Sequence, residues 1–555
     1  MLERFVAPKS LPYDYNDWKK ASYPNRIKIV CQAWIEQGFG APLVVSIFYF
    51  VKVLLYIWGG LYFASFSAEL GPMREFGSWW WNLEALKKLI LWTSLIEVLG
   101  LGGSSGPLTG RYLPPFGASL YFLRPNTLKA SFFPGAPLVG GDKRTIVEVG
   151  LYILLLGLFM RGLIAPAVTV NLVLPIVILL PLLGVLDKTV FLAARSDVYY
   201  PMMLTFLFPE QTGNGLIVVW FAIWFWAAFS KLTPVFPTVV TVMLTNSPVL
   251  TPAIFSGFKR MLVKDFPEDC HPSKIGIWIA HFGTMVEFAI PILLLVLSNR
   301  PSLALILLVI ISTFHLFIFL NFPLGVPLEW NVVMVFGAWL LFYAHPEWSF
   351  FNLAEPVLIA MLTFLLLVIP IAGHLFPRYV SFLMSMRYYA GTWPYSVWLF
   401  KGNAKEKIDQ YITKTSPAIE KQLESLYSPE LIEAMMTRVI GFRMLHLPSR
   451  ALHDLIPMAT DNNVQDYLWV EGEFMAGELI GWNFGDGHLH NEALLKAVQR
   501  RCHFASGELR VIMVESQQLH NGNMAWRIHD AKDGLLQQGT ANLHDLKHRE
   551  VWPTE

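Results

Sequence analysis

The chain has 555 residues, of which 54% are hydrophobic and only 15% charged, against about 25% charged in an ordinary soluble protein. That deficit excludes a soluble globular chain, and a net charge of +1 supplies no field for nucleic acid and no acidic tail for a partner. The three cysteines, Cys31, Cys270 and Cys502, lie far apart and form no metal or redox spacing, which argues against a disulfide framework.

Residues 1–40 mix acidic, basic and proline residues without a short apolar core or a small-residue cleavage site. They read as a cytoplasmic or interfacial segment, and the first spanning helix is expected to direct insertion. Apolar runs of about 18 residues or more read as membrane spans. They fall near 41–66, 86–103, 146–165, 168–186, 214–231, 275–298, 303–322, 330–344 and 355–376. The fold class expected over 41–400 is therefore mainly α, a polytopic transmembrane helical bundle of about nine spans. Pro166 turns the third and fourth runs into a tight hairpin, and the eighth is short enough to be tilted or half-buried. The stretch 235–257 is broken by Pro237, Pro248 and Pro252; it reads as a re-entrant or interfacial segment, or as a tenth span.

Lys9, Lys19, Lys20, Arg26 and Lys28 precede the first span, and Arg111, Arg124, Lys129, Lys143 and Arg144 fill the loop 104–145. The positive bias puts both segments inside. Nine spans then leave the C-terminal domain outside and ten leave it inside. The expectation carried forward is nine, in a bacterial cytoplasmic (inner) membrane, with the N-terminus cytoplasmic and the C-terminal domain extracytoplasmic.

From 401 to 555 the texture is that of a soluble α+β domain. Ser428-Pro429 opens a helix whose Ile432, Met435, Met436, Val439 and Ile440 share one face. The runs 509–519 and 524–530 read as strands joined through Asn521-Gly522-Asn523, with a second hairpin turn at Asp533-Gly534. Aromatic and basic residues gather over 378–400, where the chain leaves the bilayer, and they predict a domain docked on the membrane region. Asp486, His488 and His490 offer a weak metal-ligand cluster on a glycine loop. The alternative is a turn leading into a helix capped near Asn491. No phosphate loop, GxSxG elbow or HExxH motif occurs.

Polar residues at hydrocarbon depth carry the functional signal, because each costs about 2.5–3.5 kcal/mol at a helix centre unless it meets a cavity, a partner or a substrate. Lys231 closes a very apolar run, His281 and Glu287 sit six apart in the next, and His315 lies inside a third. Each has a structural alternative. Lys231 can snorkel to the interface, the histidines can bridge helices, and Glu287 can pair with a cation. Glu97, a fifth and less specific case, can cap the glycine-rich bend after it.

Over nearly its whole length the chain resembles a family of uncharacterised multi-pass bacterial membrane proteins. The resemblance rests on WIEQGFGAPLVV (34–45), LIEVLGLGGSSGPL (95–108), HFGTMVEFAIP (281–291), GVPLEWNVVMVFG (325–337) and MSMRYYAGTWPYSVWLF (384–400). More distantly, 180–340 resembles the horizontally transferred transmembrane domain of vitamin-K-dependent gamma-glutamyl carboxylases. Its motifs run in the same order: LDKT (186–189), Tyr199-Tyr200, Lys231-Leu232, His281 with Glu287, and Phe314-His315. This resemblance implies Lys231 as a base, a quinone or hydroquinone as ligand, and nine spans. The sequence departs from it at 194–198, Ala-Arg-Ser-Asp-Val, where the carboxylases carry an Asn-His pair.

The functional expectation is an integral membrane, enzyme-like protein that binds and transforms a lipid or quinone-type molecule, with carboxylase-like oxidoreductase or lyase chemistry. Lys231, His281, Glu287 and His315 are its candidate catalytic residues, gathered at one intramembrane cavity. An unpaired Lys231 fits a base and a paired one fits a structural role. The alternative is a non-catalytic lipid-binding, transport-accessory or scaffold protein. Expected partners are membrane lipids, and a membrane-protein partner or a second copy of the chain, with no nucleic acid. A secondary transporter would show paired inverted halves, and the sequence has no such symmetry.

Overall fold

The computed structural model describes residues 6–102, 119–250, 256–321, 328–380, 387–424, 426–482 and 487–554. Among these, six helices are long and apolar enough to cross a membrane: Leu43–Ala64, Ile146–Ile164, Pro209–Ser230, Lys274–Leu297, Pro301–Asn321 and Pro356–Leu375. The expected number is nine, and the difference lies in shorter elements. Val170–Leu186 and Leu328–Ala344 are apolar too but shorter than these six. Leu83–Val98 buries Glu84, Lys88 and Glu97, so it is a polar interior helix. The Lys88 ammonium is satisfied there by the carbonyls of Leu163 and Ala165 at 2.7 and 2.6 Å.

Local chemistry sets the element ends. Thr145 and Glu148 form a capping box that starts Ile146–Ile164. The run after Thr212 does not continue as one rod. A helix ends at Ser230, and a second of ten residues, Phe236–Thr245, begins with Pro237 in its first turn. The expected irregular segment over 235–257 is thus helical up to Thr245, and 251–255 lie outside the described residues. Lys231 occupies the break between the two helices. Broken backbone at membrane depth is tolerated where it lines a cavity or packs within protein.

The C-terminal domain is a five-stranded antiparallel sheet in the order β4-β3-β5-β6-β7. Its strands are β3 (Tyr395–Lys401), β4 (Tyr467–Glu471), β5 (Leu509–Val514), β6 (Asn523–Asp530) and β7 (Gly534–Asn542), while β1 (Val263–Asp265) and β2 (Asp269–Pro272) form a separate hairpin. Gly522 and Gly534 take the left-handed φ values of 68° and 82° at the two expected turns. β3 begins ahead of the boundary expected at 401 and is buried along nearly its whole length. Successive side chains alternate between faces. Trp398 and Phe400 join a core continuous with the membrane helices, while Tyr395, Val397 and Leu399 pack on the other side with Leu452 and Ile456.

The second core also takes in a helix that precedes the first span, Tyr23–Gln37, through Ile27, Cys31, Trp34 and Ile35. That helix crosses Pro429–Leu445 at Gly441, where a Cβ would stand 2.5 Å from the Val30 carbonyl oxygen. The Arg438 guanidinium then ties the Phe39 carbonyl and the Gln37 side chain at 2.8 and 2.7 Å. The N-terminal helix and the C-terminal domain are therefore packed together, a contact between segments far apart in the chain.

Candidate functional site

Lys231 and Glu287 meet. The lysine follows the last turn of Thr212–Ser230, the glutamate lies midway along Lys274–Leu297, and their side chains form an ion pair that is 11% and 7% exposed. The ammonium also lies 5.5 Å from the Phe236 ring centroid. Of the two arrangements considered for Lys231, the one found is the paired one.

His315 sits one helix further on, and its partners fix its tautomer. The Trp224 indole N–H donates to Nε2 at 3.1 Å, so Nε2 accepts. Nδ1 therefore carries the proton and donates to Asn331 Oδ1 at 2.9 Å. Both ring nitrogens are engaged, which makes this histidine a bridge between three helices. His281 does not join the group. It is exposed on the opposite side of Lys274–Leu297, while Ala280, Gly283 and Glu287 face inward. Six residues of helix turn a side chain by about 240°, so His281 and Glu287 cannot look the same way.

Lys231, Glu287, His315 and Asn331 line a cavity of about 300 Å³. Its walls are aromatic, with Trp224, Phe236, Phe314, Trp330 and Tyr389 among them. Its far side is built by the C-terminal domain through Tyr388, Trp393, Arg443, His446, Glu471 and Glu473. Here Arg443 is ion-paired to Glu471 and lies 5.1 Å from the Trp393 ring. Glu473 accepts from the Trp393 indole at 2.8 Å and from the Tyr388 hydroxyl at 3.1 Å. Burial and the neighbouring Glu471 carboxylate push the Glu473 carboxyl up to about 7. Burial and the Arg443 charge push the His446 imidazole down to about 3, so it is neutral around pH 7. Its Nδ1 faces the Phe442 carbonyl at 2.7 Å.

The sequence reading missed this second polar end. Arg443 and His446 are three apart on the amphipathic helix that the sequence does show, and Glu471 and Glu473 flank a glycine. A buried arginine on an apolar face was the available signal. The 194–198 stretch, where the carboxylase resemblance departs, backs the cavity wall. Arg195 donates to the Tyr389 hydroxyl at 3.0 Å and lies 5.2 Å from the Trp330 ring. Glu97 is buried beneath Gly102, where a Cβ would come within 2.3 Å of its carboxylate.

The weak metal cluster does not assemble among the described residues. His488 faces Glu515 at 2.9 Å, His490 faces Ser396 at 2.8 Å, and Asp486 lies outside the described residues. Asn491 caps the next helix by accepting from the Ala493 amide at 2.9 Å.

The family model described as a transmembrane protein of unknown function (DUF3556) matches residues 4–555. The chain belongs to that family. As a DUF3556 protein it is a membrane protein, in keeping with its apolar helices. No curated protein and no solved structure matches it.

Proposed function

We propose that this chain binds a membrane amphiphile, a lipid or quinone-type molecule, with the polar head held in the cavity between the membrane helices and the C-terminal domain. One observation carries the reading. A cavity of about 300 Å³ with aromatic walls has a charged pair from the membrane helices, Lys231–Glu287, and another from the domain, Arg443–Glu471. Ligand sites are mostly apolar with a few placed polar groups, and they favour domain interfaces. The motif order shared with the carboxylase membrane domain supports the same ligand class. The pairing of Lys231 and the outward position of His281 turn the reading toward binding and away from lysine-base catalysis.

A second reading, in which the amphiphile is also transformed, is favoured by Glu473. Its carboxyl lines the cavity, and burial and the Glu471 carboxylate raise its affinity for a proton, which suits general acid–base work. The binding reading is tested on protein purified in mild detergent, by mass spectrometry of its lipid extract and absorbance for quinone. A stoichiometric amphiphile that Glu471→Gln or Arg443→Met depletes is expected. Protein that carries only the bulk lipid mixture, unchanged in those variants, contradicts the reading.

A further inference from the structure

The cavity has a neighbour on the lipid side. A groove of about 700 Å³ runs between Leu43–Ala64, Pro301–Asn321 and Leu328–Trp339, walled by Phe50, Leu54, Leu316, Phe319, Phe336 and Trp339. Phe50, Leu54 and Leu316 are 55%, 50% and 55% exposed, on helices apolar enough to stand in a bilayer. An apolar concavity at that depth is filled by hydrocarbon, since water there would find too few polar partners. His315 and Asn331 line both the groove and the inner cavity. Their mutual hydrogen bond at 2.9 Å makes them the partition between the two spaces. The inner cavity is at the lower end of small-molecule pockets, about 300–1,000 Å³, so it suits a compact head better than a head and a long chain together.

We propose that the groove is the tail subsite of the cavity's ligand, and that the molecule lies across the His315–Asn331 partition. Its polar head is among Lys231, Glu287 and Arg443, and its hydrocarbon tail is in the groove, open to the bilayer. The inference rests on the binding reading above. It adds a ligand with one compact head and a long apolar tail, and a lateral route from the membrane. A prenylated quinone and a diacyl phospholipid both satisfy that chemistry, and the test separates them.

The test is photo-crosslinking of the full chain in detergent micelles with two probes. One is a naphthoquinone with a diazirine at the end of an isoprenoid tail, and the other is a phosphatidylglycerol with a diazirine midway along one acyl chain. One probe is expected to label the segments 50–57 or 316–319, with competition by its unlabelled counterpart, and the probe that does so identifies the source. Val335→Trp fills a half-buried position in the groove alone. It should cut that labelling at least roughly ten-fold, the loss expected when about two methylenes of tail burial are denied. Leu305→Trp, at a lipid-facing position outside the groove, should leave it unchanged. Labelling that maps elsewhere in the wild-type chain overturns the inference, and that map stands even if Val335→Trp does not fold. Groove labelling indifferent to Val335→Trp also overturns it. A tail-less naphthoquinone tells the two failures apart. If it still quenches the cavity tryptophans, only the tail subsite falls; if neither probe nor ring binds, the binding reading falls as well.

Discussion

At the scale of single residues, the costliest side chains were the legible ones. A lysine, a glutamate and a histidine within apolar runs announce a need for partners, and the structure brings Lys231, Glu287 and His315 to one cavity. What the runs do not encode is which face of each helix looks inward, because a helix that is apolar all round has no phase, and His281 points out. Removing one member of a buried ion pair strands the other, at a typical cost of roughly 3–5 kcal/mol. Lys231→Met should therefore lower the unfolding midpoint sharply, and Lys231→Met/Glu287→Met should recover most of the loss. A thermal melt of the three proteins checks this, and equal losses in both variants would contradict the pairing. Glu473 gives a pH dependence with a definite sign. Its folded value near 7 lies above the ordinary carboxylate value, so the folded state binds the extra proton. Stability is then highest below the ordinary value and falls as pH rises through about 7. Glu473→Gln should flatten the melting curve across that interval. A wild-type midpoint that rises there would refute the assignment.

At the scale of elements, the strands were readable because alternation and turn glycines are local. β5, β6 and β7 fall where the two hairpin signals put them. The helix Pro429–Leu445 was readable for the same reason, with Ser428 accepting from the Leu431 amide at its start. Its partner was not. Nothing in residues 23–37 says that they pack against a helix some 400 positions later, since that contact is decided by tertiary fit alone. Gly441 is where the fit is closest. Gly441→Ala places a methyl against the Val30 carbonyl and forces the helices apart, an overpacking cost of about 1–3 kcal/mol. Hydrogen exchange over 23–37 should accelerate in this variant while exchange in the distant strands stays slow. Unchanged protection would show that the two helices do not rely on this crossing.

At the scale of the whole molecule, hydropathy gave the membrane class, and six helices among the described residues are long and apolar enough to cross, against nine expected. The difference lies in the shorter apolar helices Val170–Leu186 and Leu328–Ala344, and in Leu83–Val98, whose charges the structure buries. Because Tyr23–Gln37 packs into the domain, reporters fused at Met1 and Glu555 should report the same side of the membrane. Opposite sides would break the fold described above. Docking of the domain also completes the cavity, so under the proposed binding role the head group would be held by both halves of the chain and by neither alone. The most direct test is a cryo-electron microscopy map of the protein extracted with its native lipids. The account predicts continuous, elongated density beginning between Lys231 and Arg443 and reaching the His315–Asn331 partition. A cavity closed by side chains, or filled only by separate water-sized peaks, would contradict it.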